Sequence, residues 1–195
     1  ADDIAAFLQE PEHRHIRVDL EERFSSAVVQ GVREGEGDLG VLWDHTDTGA
    51  LAWAPYREDH LCVAVPRGHP LARRRSLHFA DTLAYEMVTL PVHAAMTVLL
   101  LQQAQGLGQA LQQRVIVTNL DSKLRVVRAG LGIAILPREI VQQMGAGQLV
   151  AVPLDEPWAA RRFVLCHRAP RPDSPSAQLL LQYLSRRSAA PRPAP

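Results

Sequence analysis

Residues 121–137 read DSKLRVVRAGLGIAILP, and their order decides the fold. Asp121 is a helix-capping residue, Leu124 and Val127 recur at helical spacing, and Gly130 ends the helix. Residues 133–136 then form an unbroken apolar run of the kind that makes a buried strand. The same order stands upstream. Ser25 or Ser26 opens a helix with Val28, Val29 and Val32 inward, Gly35 and Gly37 close it, and Leu39–Trp43 is the buried strand. Helices and buried strands in alternation predict an α/β chain with a mainly parallel sheet.

Outward from these two units, Asp2 or Asp3 caps a helix that Pro11 stops. Residues 16–22 alternate as a strand does, with Ile16, Val18 and Leu20 on one face. Strands follow at 51–54 and 61–65, leading into PRGHP at 66–70, a turn-rich joint. Beyond it come a strand at 86–90, a helix at 93–105, a strand at 115–117, the opening stretch, a short helix at 137–144, and strands at 149–153 and 162–167. Ser174 and Pro175 start a last helix whose apolar face is Leu179, Leu180, Tyr183 and Leu184, and SAAPRPAP at 188–195 reads as a disordered tail.

The chain has 195 residues, 47% of them hydrophobic, with 21 basic and 21 acidic side chains. That is enough for a core, and the balanced charge excludes a bulk basic field for nucleic acid. Cys62 and Cys166 both lie in apolar runs and read as reduced, buried thiols. No stretch approaches the roughly 20 apolar residues of a membrane span, and the opening residues lack a signal peptide's basic end and apolar stretch. A cytoplasmic protein with no membrane partner is the expectation.

Three stretches together resemble the effector-binding domain of LysR-type transcriptional regulators: EGEGDLGV at 34–41, VPRGHPLA at 65–72 and AGLGIAILP at 129–137. The resemblance runs over nearly the whole chain. It implies two Rossmann-like lobes of periplasmic-binding-protein type II architecture joined by two crossover strands. Lobe I is residues 1–66 plus 156–187, with a first strand that would lie before Ala1, and lobe II is residues 67–155. It implies further a small-molecule effector in the interlobe cleft, a homodimer or homotetramer, and promoter DNA contacted only through an N-terminal winged helix-turn-helix not in this sequence. Counting residues 156–195 with 1–66 gives −4, and residues 67–155 give +4, which suits the antiparallel pairing of copies that the resemblance implies, with Lys123, Arg125 and Arg128 among the charges involved. The alternative is a solute-binding protein of a transport system, which shares the two-lobe fold.

Ligands of such sheets sit at the carboxyl ends of strands, where helix N-termini present free amides. This selects Ser25, Ser26 and Trp43 in the first lobe and Val92, His93, Ala94, Ala95, Thr118, Asn119, Leu120, Leu136 and Pro137 in the second. Helix amides with hydroxyl and amide side chains favour a small organic ligand with an acidic group. Ser25 and Asn119 also serve as plain helix caps, Trp43 as core and His93 as a solvent-facing residue. His13 and His15 lack further ligands at metal-binding spacing, so no metal is expected. Arg73, Arg74 and Arg75 read as a solvated face. With no nucleophile elbow, zinc motif or phosphate loop, neither catalytic residues nor a cofactor are expected.

Overall fold

The computed structural model describes residues 2–145 and 147–188. The chain divides into two units, Ala1–Glu58 with Arg162–Pro195 and Asp59–Arg161. The sequence placed these divisions at 66/67 and 155/156; they fall instead inside two strands, β2 (Ala52–Pro66) and β7 (Ala160–His167). The tail at 189–195 lies outside the described residues, whereas Ser188 ends a helix.

In the first unit, α1 (Asp2–Gln9) is followed by a 3-10 turn, Pro11–His13, then α2 (Ser25–Glu34) and β1 (Leu39–Trp43). β1 pairs antiparallel with β7, Leu39 opposite His167 and Trp43 opposite Phe163. Val29 and Val32 of α2 pack with Leu42, Val164 and Cys166. The close approach of helix to sheet depends on Gly40, where an added Cβ would stand 2.7 Å from Val28 Cγ1 and 2.8 Å from Cys166 Sγ. The last helix, α7 (Pro175–Ser188), buries Ala177 and Leu184. Leu179, expected inward, is 43% exposed.

The alternating segment at 16–22 is not a strand. Ile16 is buried, but Leu20 is 62% exposed. Alternation supplies a face and not a partner, and a strand exists only through the ladder that satisfies its backbone.

In the second unit, β3 (Met87–Thr89), α4 (Ala95–Gly106), β4 (Gln113–Ile116), α5 (Leu120–Arg128), β5 (Ala134–Pro137), α6 (Arg138–Met144) and β6 (Leu149–Pro153) follow a short helix, α3 (Phe79–Thr82). β3 pairs parallel with β4, and Ile133, leading into β5, bridges parallel to Met87. β2 then runs antiparallel to both β5 and β6. The sheet is therefore mixed, which corrects the expectation of a mainly parallel one. Helical crossovers join β3 to β4 and β4 to β5, so β4 and the entry to β5 both lie parallel to β3, while β2 arrives from the other unit and runs against β5 and β6.

β5 and the second half of β2 are apolar on both faces. Leu61, Val63, Val65, Ile133 and Ile135 pack with Phe79 and Leu100. The intervening Cys62, Ala64, Ala134 and Leu136 pack with Leu124, Val127 and Val141. This period of two, covered on each side, is why the strands read as continuous apolar runs. The two expected strands at 51–54 and 61–65 are one, β2, since nothing between them breaks the extended backbone. Gly130 adopts φ +75° just past α5, as the helix-end reading requires. Gly132 has φ +146°, and a Cβ there would stand 2.8 Å from the Glu86 carbonyl oxygen that takes the Ile133 amide.

Candidate functional site

The expected ligand-facing loops of the second unit lie at the starts of α4 and α5 and at the end of β5. α4 has Ala94 as its N-cap with no side-chain bond, so its first-turn amides keep their donors. Val92 is 59% exposed and His93 is exposed, while Ala94 is buried. Just ahead, Thr97 Oγ1 donates to the Leu90 carbonyl at 2.9 Å and fixes how the strand enters the helix.

At α5 the cap is Asn119, whose Oδ1 accepts from the Ser122 amide at 2.8 Å. This corrects the assignment of the cap to Asp121, which lies in the first turn and pairs with Arg125 at 2.7 Å. Thr118 is exposed and Leu120 half-buried. Leu136 is 1% exposed and part of the core, with its side chain turned away from solvent; Pro137 is half-buried and N-caps α6.

In the first unit the cap of α2 is Phe24, without a side-chain bond. Ser25 and Ser26 thus occupy the first turn, and neither is the cap the sequence suggested. Trp43 ends β1, 8% exposed, with its ring 5.0 Å from that of His45.

Sequence reasoning missed a buried charge cluster. Lys123, placed among the surface charges of a pairing face, is 1% exposed. Its Nζ donates to the Ile135 carbonyl at 3.0 Å. Burial, aided by the Arg161 charge, pushes its amine down from 10.5 to about 7. Arg161 itself grips Asp59, Nε to Oδ1 at 2.7 Å and Nη2 to Oδ2. A signal was present: Lys123 stands three residues after Leu120 and four before Val127, on the apolar stripe of α5.

Among the described residues a shallow pocket, lined by His69, Tyr85, Glu86, Gly130, Gly132 and Ile133 among others, opens elsewhere. It meets β3 and β5 at their amino ends, opposite to where a parallel sheet offers helix amides. Glu86 there is already paired with Arg114.

Glu10, Glu12 and His13 bring ligand atoms within 4.8 Å of one another, an acidic pair that spacing had not revealed. His13 Nδ1 is already 3.0 Å from the Phe7 carbonyl oxygen, and the group carries no site. Cys62 and Cys166 are free and buried, as expected. Burial pushes the Cys62 thiol up to about 12, far from a reactive thiolate. Among the described residues no helix is long and apolar enough to cross a membrane.

The family model for the LysR substrate binding domain matches residues 4–189. The chain belongs to that family. This LysR substrate-binding domain is 24% identical over 170 residues to the uncharacterized HTH-type transcriptional regulator YbhD of Escherichia coli K12, covering 87% of the chain and 54% of the relative. It thus spans about half the length of that relative. In fold it is similar to the regulatory domain of CcmR from Synechocystis PCC6803 in complex with 2-PG, with TM-score 0.85, 18% identity and coverage of 96% and 90%. It is also similar to the effector-binding domain of QuiR in complex with shikimate, with TM-score 0.82, 16% identity and coverage of 96% and 88%. The two-lobe periplasmic-binding-protein type II architecture of the sequence reading is that of these neighbours, and the family match favours a regulator's domain over a transport protein.

Proposed function

We propose that this chain is the effector-sensing and oligomerising part of a cytoplasmic LysR-type transcriptional regulator. It binds a small organic acid without turning it over, and promoter DNA is contacted by a portion of the protein outside this sequence. The single observation that carries the reading is the family match across residues 4–189. The 2-PG and shikimate complexes of two fold neighbours support it. The donors are the amides opening α4, the Thr118 hydroxyl and the Asn119 amide group. Val92 and Pro137 supply apolar contact, and Ser25, Ser26 and Trp43 contribute from the first unit. His93, Ala94, Ala95, Leu120 and Leu136 complete the set, the buried ones through their backbone.

Signalling is a shift of population, in which the effector binds one arrangement of the assembly better than another. A preference of about 5.5 kcal/mol carries such an equilibrium from one extreme to the other. A thermal-shift screen of small carboxylates tests the ligand class: stabilisation is expected from acids, and stabilisation by neutral or cationic compounds alone would refute it. Light scattering with and without the stabilising acid tests the homodimer or homotetramer, and a monomer at all concentrations would exclude oligomerisation.

A further inference from the structure

Lys123 is the single lysine among 21 basic residues. An ammonium carries three N–H donors and a full charge. Among the described residues Lys123 has one acceptor, the Ile135 carbonyl, and no carboxylate partner. The ionisable groups on the elements around it do not repair this. Asp59 on β2 is committed to Arg161 on β7 through two hydrogen bonds. Arg161 acts on Lys123 as a like charge. Cys62 on β2 stays a protonated thiol, with Arg138, at the start of α6, and Asp59 acting on it. On α5 itself Asp121 is paired with Arg125, and Arg128 adds a further positive charge. The charge that acts on Lys123 is the like charge of Arg161, and a buried cation without counter-charge loses its proton more readily.

Position gives this imbalance a use. The Lys123 amide bonds the Asn119 carbonyl at 3.2 Å, one turn from Thr118–Leu120. The carbonyl that holds the Lys123 amine belongs to Ile135, next to Leu136 and Pro137. The amine is thus fixed to a carbonyl of β5, while its backbone stands in the first turn of the helix that opens after β4. Charge acts through low-dielectric protein without direct contact, so a ligand held at these segments is felt by the buried amine.

We propose that Lys123 is the specificity-determining charge of this domain: its buried amine takes up a proton when an acidic effector binds at Thr118–Leu120 and Leu136–Pro137, so that anions are selected over their neutral isosteres. The effector enters as a carboxylate, one proton comes from solvent to Nζ, and the ammonium and carboxylate supply each other's counter-charge. This rests on the effector-sensing reading above. It adds the ligand's charge class and a proton linkage.

The lone lysine makes the test direct. In the 195-residue chain labelled with lysine carrying carbon-13 at Cε, one side-chain resonance reports Lys123. Its titration midpoint is expected near neutral pH in the free chain. Benzoate is then compared with benzamide, and shikimate with its methyl ester, by thermal shift and calorimetry. A stabilising acid is expected to raise the Lys123 midpoint by a unit or more, and K123M to bind that acid at least tenfold more weakly while binding the neutral isostere unchanged.

A free-chain midpoint near 10.5, a midpoint unmoved at saturating acid, or equal acid binding by K123M would overturn the role of Lys123 and leave the effector reading standing. Preference for the neutral member of each pair would overturn this proposal and the acid class of the effector, and leave effector sensing itself standing. Stabilisation by no member of either pair would overturn this proposal and count against the effector reading itself.

Discussion

The two units each bury a charge near the start of a helix, and they treat it in opposite ways. Asp3, in the first turn of α1, is 3% exposed and surrounded by donors. The Tyr56 hydroxyl donates to Oδ2 at 2.6 Å, Arg57 Nη2 donates to the same oxygen at 2.5 Å, and Arg187 Nε lies 3.3 Å from Oδ1. Burial pushes the Asp3 carboxyl up, but the Tyr56 hydrogen bond and the Arg57 and Arg187 charges outweigh it, and the group ends below its ordinary 3.8. Burial and the same contact push the Tyr56 hydroxyl up to about 12. Lys123 has one carbonyl and a neighbouring arginine. The first arrangement ties α1, β2 and α7 together; the second holds a charge in reserve. Burial alone does not make a charge structural, because its surroundings decide whether it stabilises the fold.

The largest effect is expected from removing the uncompensated charge. In the unfolded chain Lys123 titrates near 10.5 and in the folded chain near 7. Between those values the unfolded state binds more protons, so native stability rises with pH across that window, and the full penalty applies below about 7. Lys123→Met removes the penalty. Urea melts at pH 7 should show a gain on the order of 3–5 kcal/mol, shrinking as pH approaches 9. Parallel pH profiles for the two proteins would place Lys123 in solvent and dissolve the contrast.

Asp3→Ala should move the other way. It leaves the Tyr56 hydroxyl and the Arg57 guanidinium without the Asp3 acceptor and removes the ion pair with Arg187, a loss of about 2–3 kcal/mol. Because the folded carboxyl lies below 3.8, its contribution is present above that value and is lost as pH falls through the folded value. Acid unfolding followed by circular dichroism should therefore show the gap between wild type and variant closing below pH 4. A gap that persists there would mean that Asp3 acts through packing.

These two charges also mark where the sequence stopped being legible. Asp3 reads as a helix cap and Lys123 as a surface cation, since an isolated side chain carries no label for the direction it faces. The apolar run at 133–136 was readable because both faces of that strand are covered, so every residue reports burial, and the runs at 39–43 and 149–153 were readable from their apolar composition although Val41 and Pro153 are exposed. Residues 16–22 misled because alternation marks one face and leaves pairing unspecified. The antiparallel turn of β2 against β5 was hidden for the same reason: partners distant in sequence leave no local trace. At the site, Asn119 and Thr118 were recognisable as polar groups before a helix. The cluster of Asp59, Lys123 and Arg161 draws on three elements and exists only after folding.

The smallest effects separate two helix starts that look alike in sequence. Asn119 accepts from the Ser122 amide and caps α5, so Asn119→Ala should cost about 1 kcal/mol in urea melts. Ser25 sits inside the first turn of α2 behind Phe24 and makes no capping bond, so Ser25→Ala should stay within about 0.5 kcal/mol of wild type. Both residues are also proposed to meet the effector. A stability loss at Asn119 with none at Ser25, alongside weakened acid binding in both, would separate capping from recognition. Equal stability losses would instead mean that the Ser25 hydroxyl caps α2 in solution, reducing its ligand role to a consequence of helix formation.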